Sequence, residues 1–247
     1  MAAEPWVLMY HSVTDYAQDP YLITVTPDRL RRQLDWLGHR GMRGVGVGEL
    51  LSERAAGRGS GLVGLTFDDG YADFTEHALP LLQERGFTAT VFVLPGRLGG
   101  DNAWDPLGPR KPLLCAAGIR DAADAGMEIG SHGMRHVSLP SAAGPVLLEE
   151  TARSRESLRE ITGRPVEGYC YAYGDVDRRA VDAVRAAGYS YACAIAPALA
   201  GRYALPRTRI GDQDTFWRMS AKRLLHPVRR RGPAAPSAAG QLTGAGR

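Results

Sequence analysis

Gly64-Leu65-Thr66-Phe67-Asp68-Asp69-Gly70-Tyr71 is the stretch on which the reading of this chain turns. Leu62 to Phe67 is a short apolar, partly β-branched run, long enough for one buried strand, and it stops at two adjacent carboxylates and a glycine. Successive side chains of an extended segment point to opposite sides. The glycine lets the chain turn, so Asp68 and Asp69 can be aimed at one pocket from different angles. Like charges this close raise one pKa unless a cation intervenes, and a divalent metal held by one Asp leaves the other free to accept a proton. The stretch therefore reads as a centre for metal-assisted hydrolysis, with an Asp-Asp-Gly hairpin turn as the simpler alternative.

A second stretch weighs against the hairpin. Ser131-His132-Gly133-Met134-Arg135-His136 follows another short apolar strand candidate, Met127 to Gly130. Two histidines four residues apart can face the same way over one turn and offer two imidazoles to one metal. With the strand-terminal Asp pair upstream, Asp69, His132 and His136 form a closed Asp-His-His set that leaves a position for water.

Thr66-Phe67-Asp68-Asp69-Gly70-Tyr71 resembles the first signature of the polysaccharide deacetylase family, the NodB-like carbohydrate esterases, and His132-x-x-x-His136 resembles the second. The similarity runs from Leu8 to about Arg209. It implies a distorted (β/α) barrel and removal of acetyl groups from N-acetylated sugars. It also implies one divalent metal, zinc first, with Co2+, Ni2+ or Mn2+ as alternatives. By the same resemblance Asp68 is the base and Asp69 the first metal ligand.

The resemblance extends to other roles. Tyr171-Ala172-Tyr173-Gly174 is similar to the third signature, where a tyrosine backbone N–H faces the oxyanion; Tyr173 is the match, and Ala172 stands where proline is usual. Leu8-Met9-Tyr10-His11-Ser12-Val13 resembles the start of the poly-N-acetylglucosamine deacetylase branch, whose strand order is circularly permuted and whose early histidine is the general acid; His11 takes that part here. His226, in Leu224-Leu225-His226, fits the family's other acid signature by its letters but sits on a basic helix beside Pro227. Arg207, or else Arg209, is placed on a late strand where a guanidinium would hold Asp68 ionised. Gly133 stands where a serine or threonine hydroxyl usually supports the metal ligands. Trp104, Tyr71 and Trp36 are aromatics that could stack on a sugar ring. Trp104, in a long loop, and Tyr71 are the candidates, while Trp36 lies inside a helix.

Around these motifs the chain alternates strands and helices. Expected strands are Trp6 to Val13, Leu62 to Phe67, Thr88 to Leu94, Met127 to Gly130, Val166 to Ala172, Tyr189 to Ile195 and Ala204 to Ile210. Between them lie helices such as Thr26 to Arg40, Asp73 to Arg85, Leu114 to Ala125, Val146 to Ile161 and Arg178 to Ala187, with Asp214 to Leu225 as the last. This alternation argues for an α/β fold with parallel strands. Seven or eight strands favour a barrel, with the reactive groups at strand C-terminal ends. Residues 1–228 form one catalytic domain, and residues 229–247, three arginines and then an Ala/Gly/Pro/Ser tail, are expected to be disordered.

The chain of 247 residues is 44% apolar and 23% charged, an ordinary balance for a soluble domain, and its formal charge of +3 is too small to argue for nucleic acid as a partner. Cys115, Cys170 and Cys193 are odd in number and read as reduced, buried packing residues. With no signal-peptide pattern at the N-terminus and no membrane span, they point to the cytoplasm. From Phe216 to Arg231 apolar and basic residues interleave. That stretch could touch an anionic membrane surface, although a final helix packing Trp217 and Leu224 on the barrel explains it as well. The partner implied is an N-acetylated sugar, on a small, lipid-linked or polymeric carrier. Two alternatives stand beside the N-deacetylase: the same centre acting on an acetate ester or another small amide, and a non-catalytic carbohydrate-binding relative.

Overall fold

The computed structural model describes residues 4–226, so the expected tail lies outside the described residues. The chain opens with β1 (Val7–Tyr10), the short β2 (Ser12–Val13) and β3 (Thr24–Val25), then α1 (Pro27–Gly38), β4 (Arg43–Val45), α2 (Val47–Ala55) and β5 (Leu62–Phe67). A wide helical turn over Phe74–Ala78 leads into α3 (Leu79–Gln83), followed by β6 (Thr90–Val93), α4 (Ala116–Asp124) and β7 (Glu128–Ser131). Next come α5 (Gly144–Leu148), a second wide turn (Glu149–Arg153), α6 (Ser154–Thr162), β8 (Gly168–Cys170), α7 (Arg178–Ala186) and β9 (Tyr191–Ala194). The last elements are β10 (Leu205–Pro206), β11 (Thr208–Arg209) and α8 (Phe216–Leu225).

Eight strands run in the order β10-β9-β8-β7-β6-β5-β1-β11, all paired in parallel, and β4 joins the N-terminal half of the β5 edge whose C-terminal half pairs with β6. The ring is nearly closed, because β10 and β11 are consecutive pieces of one extended run. Leu205 and Pro206 pair with Cys193 and Ala194 of β9, whereas Thr208 and Arg209 pair with Leu8 and Met9 of β1. The sequence predicts one strand there. It divides because its two halves serve different neighbours, and Arg207 sits at the division. The expected strand from Trp6 to Val13 likewise divides at His11 into β1 and β2.

Parallel strands covered on both faces bury nearly every residue, and β1, β6 and β9 are buried throughout. One apolar cluster, including Leu8, Tyr10, Leu65, Phe67, Val91 and Ile129, packs under the helices. A second joins Val7, Phe92, Cys170, Tyr191, Cys193 and Leu205. The two sets alternate along the strands, so the second fills the barrel interior. At the floor, Glu128 accepts from Thr90 Oγ1 (2.6 Å), Tyr191 Oη (2.7 Å) and the Gly48 N–H (2.9 Å), which ties the start of α2 across the N-terminal end of the barrel.

Helix starts follow local chemistry. Thr26 Oγ1 accepts from Arg29 N and Pro27 takes the first turn of α1, which buries Leu30, Leu34 and Leu37. The helix expected from Asp73 to Arg85 is regular only from Leu79. Pro80 has no N–H to return to the preceding turn, and the chain there winds wide. Cys170 and Cys193 are buried as expected, but Cys115 is exposed, because it flanks the start of α4 where the chain leaves the long loop. Trp217 and Leu224 do not pack on the barrel: both are 77% exposed, and Met219, on the opposite side of α8, makes that contact. Among the described residues no helix is long and apolar enough to cross a membrane.

The turn after β5 depends on Gly70. Its φ is +68°, and a Cβ there would lie 2.8 Å from Val93 Cγ1. Gly70→Ala is expected to destabilise the protein by about 2 kcal/mol, from the left-handed backbone and the overpacked contact together. A lower urea midpoint at unchanged slope would register it.

Candidate active site

Strand parity brings the reactive groups together before any side chain chooses a rotamer. Inward positions alternate along each strand, so Thr66 and Asp68 continue the interior face of β5, Phe92 that of β6, Gly130 and His132 that of β7, and Cys170 that of β8. His11 and Arg207 continue the same parity beyond β1 and β10. All lie at the C-terminal ends of parallel strands, the end where barrel enzymes carry their chemistry. Asp69 has the opposite parity. It reaches the same space because it adopts a left-handed backbone, φ +70°, directly before the left-handed Gly70.

Asp68 and Asp69 then part company. Asp68 is gripped by a buried guanidinium: Arg207 donates from Nη1 to Oδ1 (2.6 Å) and from Nη2 to Oδ2 (2.7 Å). The remaining Arg207 donors reach Thr66 Oγ1 (3.0 Å), Cys170 Sγ (3.0 Å) and the Ala194 carbonyl (3.3 Å). Burial alone would push the Asp68 carboxyl up, but the Arg207 charge and hydrogen bonds outweigh it and hold Asp68 below its ordinary value. Arg209, the other arginine considered from sequence, turns outward and donates to the Tyr21 and Leu22 carbonyls.

Asp69 faces the histidines. Its Oδ1 lies 3.1 Å from His132 Nε2 and 3.4 Å from His136 Nε2. His132 Nδ1 is 2.8 Å from the Cys170 carbonyl, which can only accept. The proton therefore sits on Nδ1, and the Nε2 lone pair is left facing Asp69. Asp69 Oδ1 is buried and finds no hydrogen-bond partner among the described residues. Arg207 is already matched by Asp68, so among the described residues the Asp69 charge has no lysine or arginine of its own. An orphaned carboxylate oxygen beside an imidazole lone pair, with one ligand atom from each of Asp69, His132 and His136 inside a 4.8 Å span, suits a divalent ion of the zinc type.

His11 Nε2 stands 4.0 Å from Asp68 Oδ2, and burial lowers its pKa despite the nearby carboxylates. The residues after it are pinned. Asp73 accepts from Ser12 Oγ (2.6 Å) and the Val13 N–H (3.0 Å), while Lys111 Nζ donates to Ser12 Oγ (2.8 Å). His226 packs beside Trp6, at the other end of β1, roughly 16 Å of strand from His11. Tyr173 has a left-handed backbone, φ +60°, and its partly exposed ring meets the His136 imidazole edge-on at 4.4 Å. Trp104 stacks on the same imidazole, 4.6 Å from the His136 ring and nearly parallel to it. Tyr71 is 1% exposed, so its ring has no face to offer a sugar; it pairs with Leu113 of the long loop, the Gly70 carbonyl accepting from Leu114 N (2.8 Å) and the Ala72 N–H donating to the Pro112 carbonyl (2.9 Å). Trp36 is buried under the Arg40 guanidinium, 4.3 Å away.

Three contributors escaped the sequence reading. Glu150 is buried in the wide turn of Glu149–Arg153, which interrupts the helix expected from Val146 to Ile161. Its Oε2 accepts from Met134 N (2.7 Å) and Arg135 N (3.1 Å), bracing the loop that joins the two histidines. A Cβ on Gly133 would lie 2.5 Å from that oxygen, so the carboxylate occupies the room that a side chain at residue 133 would need. Cys170 touches Arg207 through sulfur and His132 through its carbonyl. Thr66 accepts from Arg207 and donates to the Leu8 carbonyl (2.9 Å). None belongs to a motif of titratable pairs. Only the helix-widening turn, at a functional site, hints at Glu150 in retrospect.

Breaking the Asp68–Arg207 pair from one side strands a buried charge. Arg207→Met is expected to cost about 3–5 kcal/mol in urea unfolding. Glu150→Ala, which frees the histidine loop without removing a ligand, is expected to weaken zinc binding by about 10- to 100-fold in a competition titration.

Comparisons with known proteins place the chain among polysaccharide deacetylases. YxkH of Bacillus subtilis (strain 168), whose name places it provisionally among polysaccharide deacetylases, is 25% identical over 210 residues, covering 83% of this chain and 70% of that one. The poly-beta-1,6-N-acetyl-D-glucosamine N-deacetylase of Escherichia coli (strain K12) is 32% identical over 91 residues, which is 34% of this chain but only 14% of the relative. The crystal structure of BC0361, a polysaccharide deacetylase from Bacillus cereus, superposes with a TM-score of 0.74 at 25% identity, over 89% of this chain and 68% of that one. The polysaccharide deacetylase family model matches residues 56–192, from before β5 into β9, and the chain belongs to that family.

Proposed function

We propose that the protein is a metal-dependent N-deacetylase that hydrolyses the acetamide of an N-acetylated amino sugar. The observation that carries this reading is the separation of Asp68 from Asp69. One carboxylate is held ionised by Arg207, and the other is turned into a pair of histidines with an orphaned oxygen. A site that only bound sugar would have no use for an ionised, oriented carboxylate next to a ligand set.

Asp69, His132 and His136 would hold one divalent ion, zinc first, which when bound polarises the acetamide carbonyl and lowers the pKa of water. Asp68 takes the proton from the attacking water as its oxygen bonds to the carbonyl carbon, and Arg207 keeps Asp68 ionised and in place for that step. The Tyr173 backbone N–H is assigned to the oxyanion that develops. His11 delivers a proton to the nitrogen as the C–N bond breaks, leaving acetate and a free amine. Burial lowers the His11 pKa and so eases release of that proton. Trp104, stacked on His136, is assigned to one edge of the sugar. The three cysteines are free, which fits a reducing compartment such as the cytoplasm.

The reading is tested by acetate release from a panel of N-acetylated sugars, after chelation and add-back of zinc, cobalt, nickel or manganese. Absence of acetate with every metal and substrate would remove it. Asp68→Asn is expected to abolish turnover while metal affinity stays nearly unchanged, and Asp69→Ala to lose both; equal metal loss in the two variants would reverse their roles. His11→Ala is expected to lower kcat by about 10²- to 10⁴-fold and His226→Ala to leave it near wild type, with the opposite order returning the acid role to His226.

A further inference from the structure

We propose that the outer face of α8, with the arginine-lined hollow between α8 and α1, is a docking surface for a membrane rich in anionic phospholipid. This inference does not rest on the deacetylase reading.

Helix α8 is held to the body of the protein by the fully buried Met219 and by Lys222 Nζ, which donates to Asp214 Oδ2 (2.5 Å). At 100° per residue the side opposite these contacts carries Trp217 and Leu224, seven residues apart and each 77% exposed, with Ala221 between them and the exposed Leu225 beside them. The same geometry puts Arg218 along one border of this stripe and Arg223 along the other. Phe216 meets Trp217 edge-on at 4.9 Å and is itself 48% exposed. An exposed tryptophan and leucine on a narrow helical stripe, bordered on both sides by arginine, is the layout of a helix lying in a membrane interface.

The hollow beside it adds a site for headgroups. A cavity of ≈ 500 Å³ runs between α1 and α8, and Arg29, Arg32, Trp36, His39 and Arg40 line it with Phe216. The Arg40 guanidinium lies 4.3 Å from the Trp36 ring and 4.7 Å from the Phe216 ring. The nearby acids are already engaged: Asp28 with Arg31 and Arg32, Asp35 with Arg85, and Asp214 with Arg218 and Lys222. Among the described residues Arg29, Arg40 and Arg223 have no carboxylate within salt-bridge distance, and the buried Trp36 indole N–H finds no acceptor. Guanidinium groups without carboxylate partners, beside an exposed apolar stripe, complement a surface that offers phosphate oxygens next to acyl chain. The sequence continues into Arg229-Arg230-Arg231, which adds charge of the same sign.

The test is co-sedimentation of the full chain with phosphatidylcholine vesicles, with and without phosphatidylglycerol, at low and high salt. Binding is expected only to the anionic vesicles and to fall with salt. Trp217→Ser combined with Leu224→Ser is expected to weaken binding about tenfold or more, and Arg40→Gln to weaken it less. Brominated acyl chains should quench the fluorescence of the wild type, and that quenching should vanish in Trp217→Phe. No binding at low salt, equal binding to neutral vesicles, or unchanged binding by the double variant would each overturn the proposal. So would dimerisation through α8 without lipid binding, which would assign the stripe to a second copy. Should the double variant fold poorly, the quenching pair and Arg40→Gln decide the question alone.

Discussion

Two consecutive carboxylates, both withdrawn from water, cannot stay ionised in a low-dielectric interior unless each is given a separate source of positive charge. That requirement shapes the centre of this protein. A strand would send Asp68 and Asp69 to opposite faces, and a tighter turn would press them together. The left-handed pair Asp69-Gly70 sends them toward the same cluster of side chains at different angles. Asp68 meets Arg207 in a two-pronged contact, whereas Asp69 meets two imidazoles that carry no charge when neutral. The imbalance at Asp69 is what makes the proposed metal site chemically reasonable, and the balance at Asp68 fixes the charge and orientation of the proposed base.

Arg207 links that chemistry to the closure of the fold. It stands where one extended run leaves β9 and joins β1, so its position depends on the seam of the barrel being made correctly. In return its donors tie β5, β8 and β9 together through Thr66, Asp68, Cys170 and the Ala194 carbonyl. A buried ion pair adds little net stability over an apolar replacement, but losing one partner is costly. The seam is thus specified by a contact that the proposed reaction also uses.

The histidine side is built differently. No cation braces it; Glu150 does so from outside, receiving two backbone N–H groups of the loop between His132 and His136. Gly133 is the complement of that arrangement, because any side chain there would meet the carboxylate. Trp104 and Tyr173 then close on His136 from stacked and edge-on directions. The departure at Gly133, which from sequence alone looks like lost support, is in the fold the space through which a different support acts.

Much of this was legible in the order of residues. Alternation of strands and helices, the Asp-Asp-Gly ending of β5 and the histidine spacing after β7 are local patterns, and local patterns follow from backbone periodicity and from what glycine and proline permit. They sufficed for the barrel, the strand ends that carry the site, and the grouping of Asp69 with His132 and His136. Contacts between residues far apart in the chain were not legible. Arg207 and Arg209 are equivalent in sequence, and only the switch from β9 to β1 turns one inward and the other out. Tyr71 looks available for a sugar until the long loop is seen folded over it. Glu150 is one acid among several on a charged helix until a widened turn rotates it inward. Trp217 and Leu224 look like core until Met219, on the other side of the same helix, is found to make the contact. Sequence periodicity determines that a face exists; which neighbour covers it, or whether any does, is decided by packing across the whole chain.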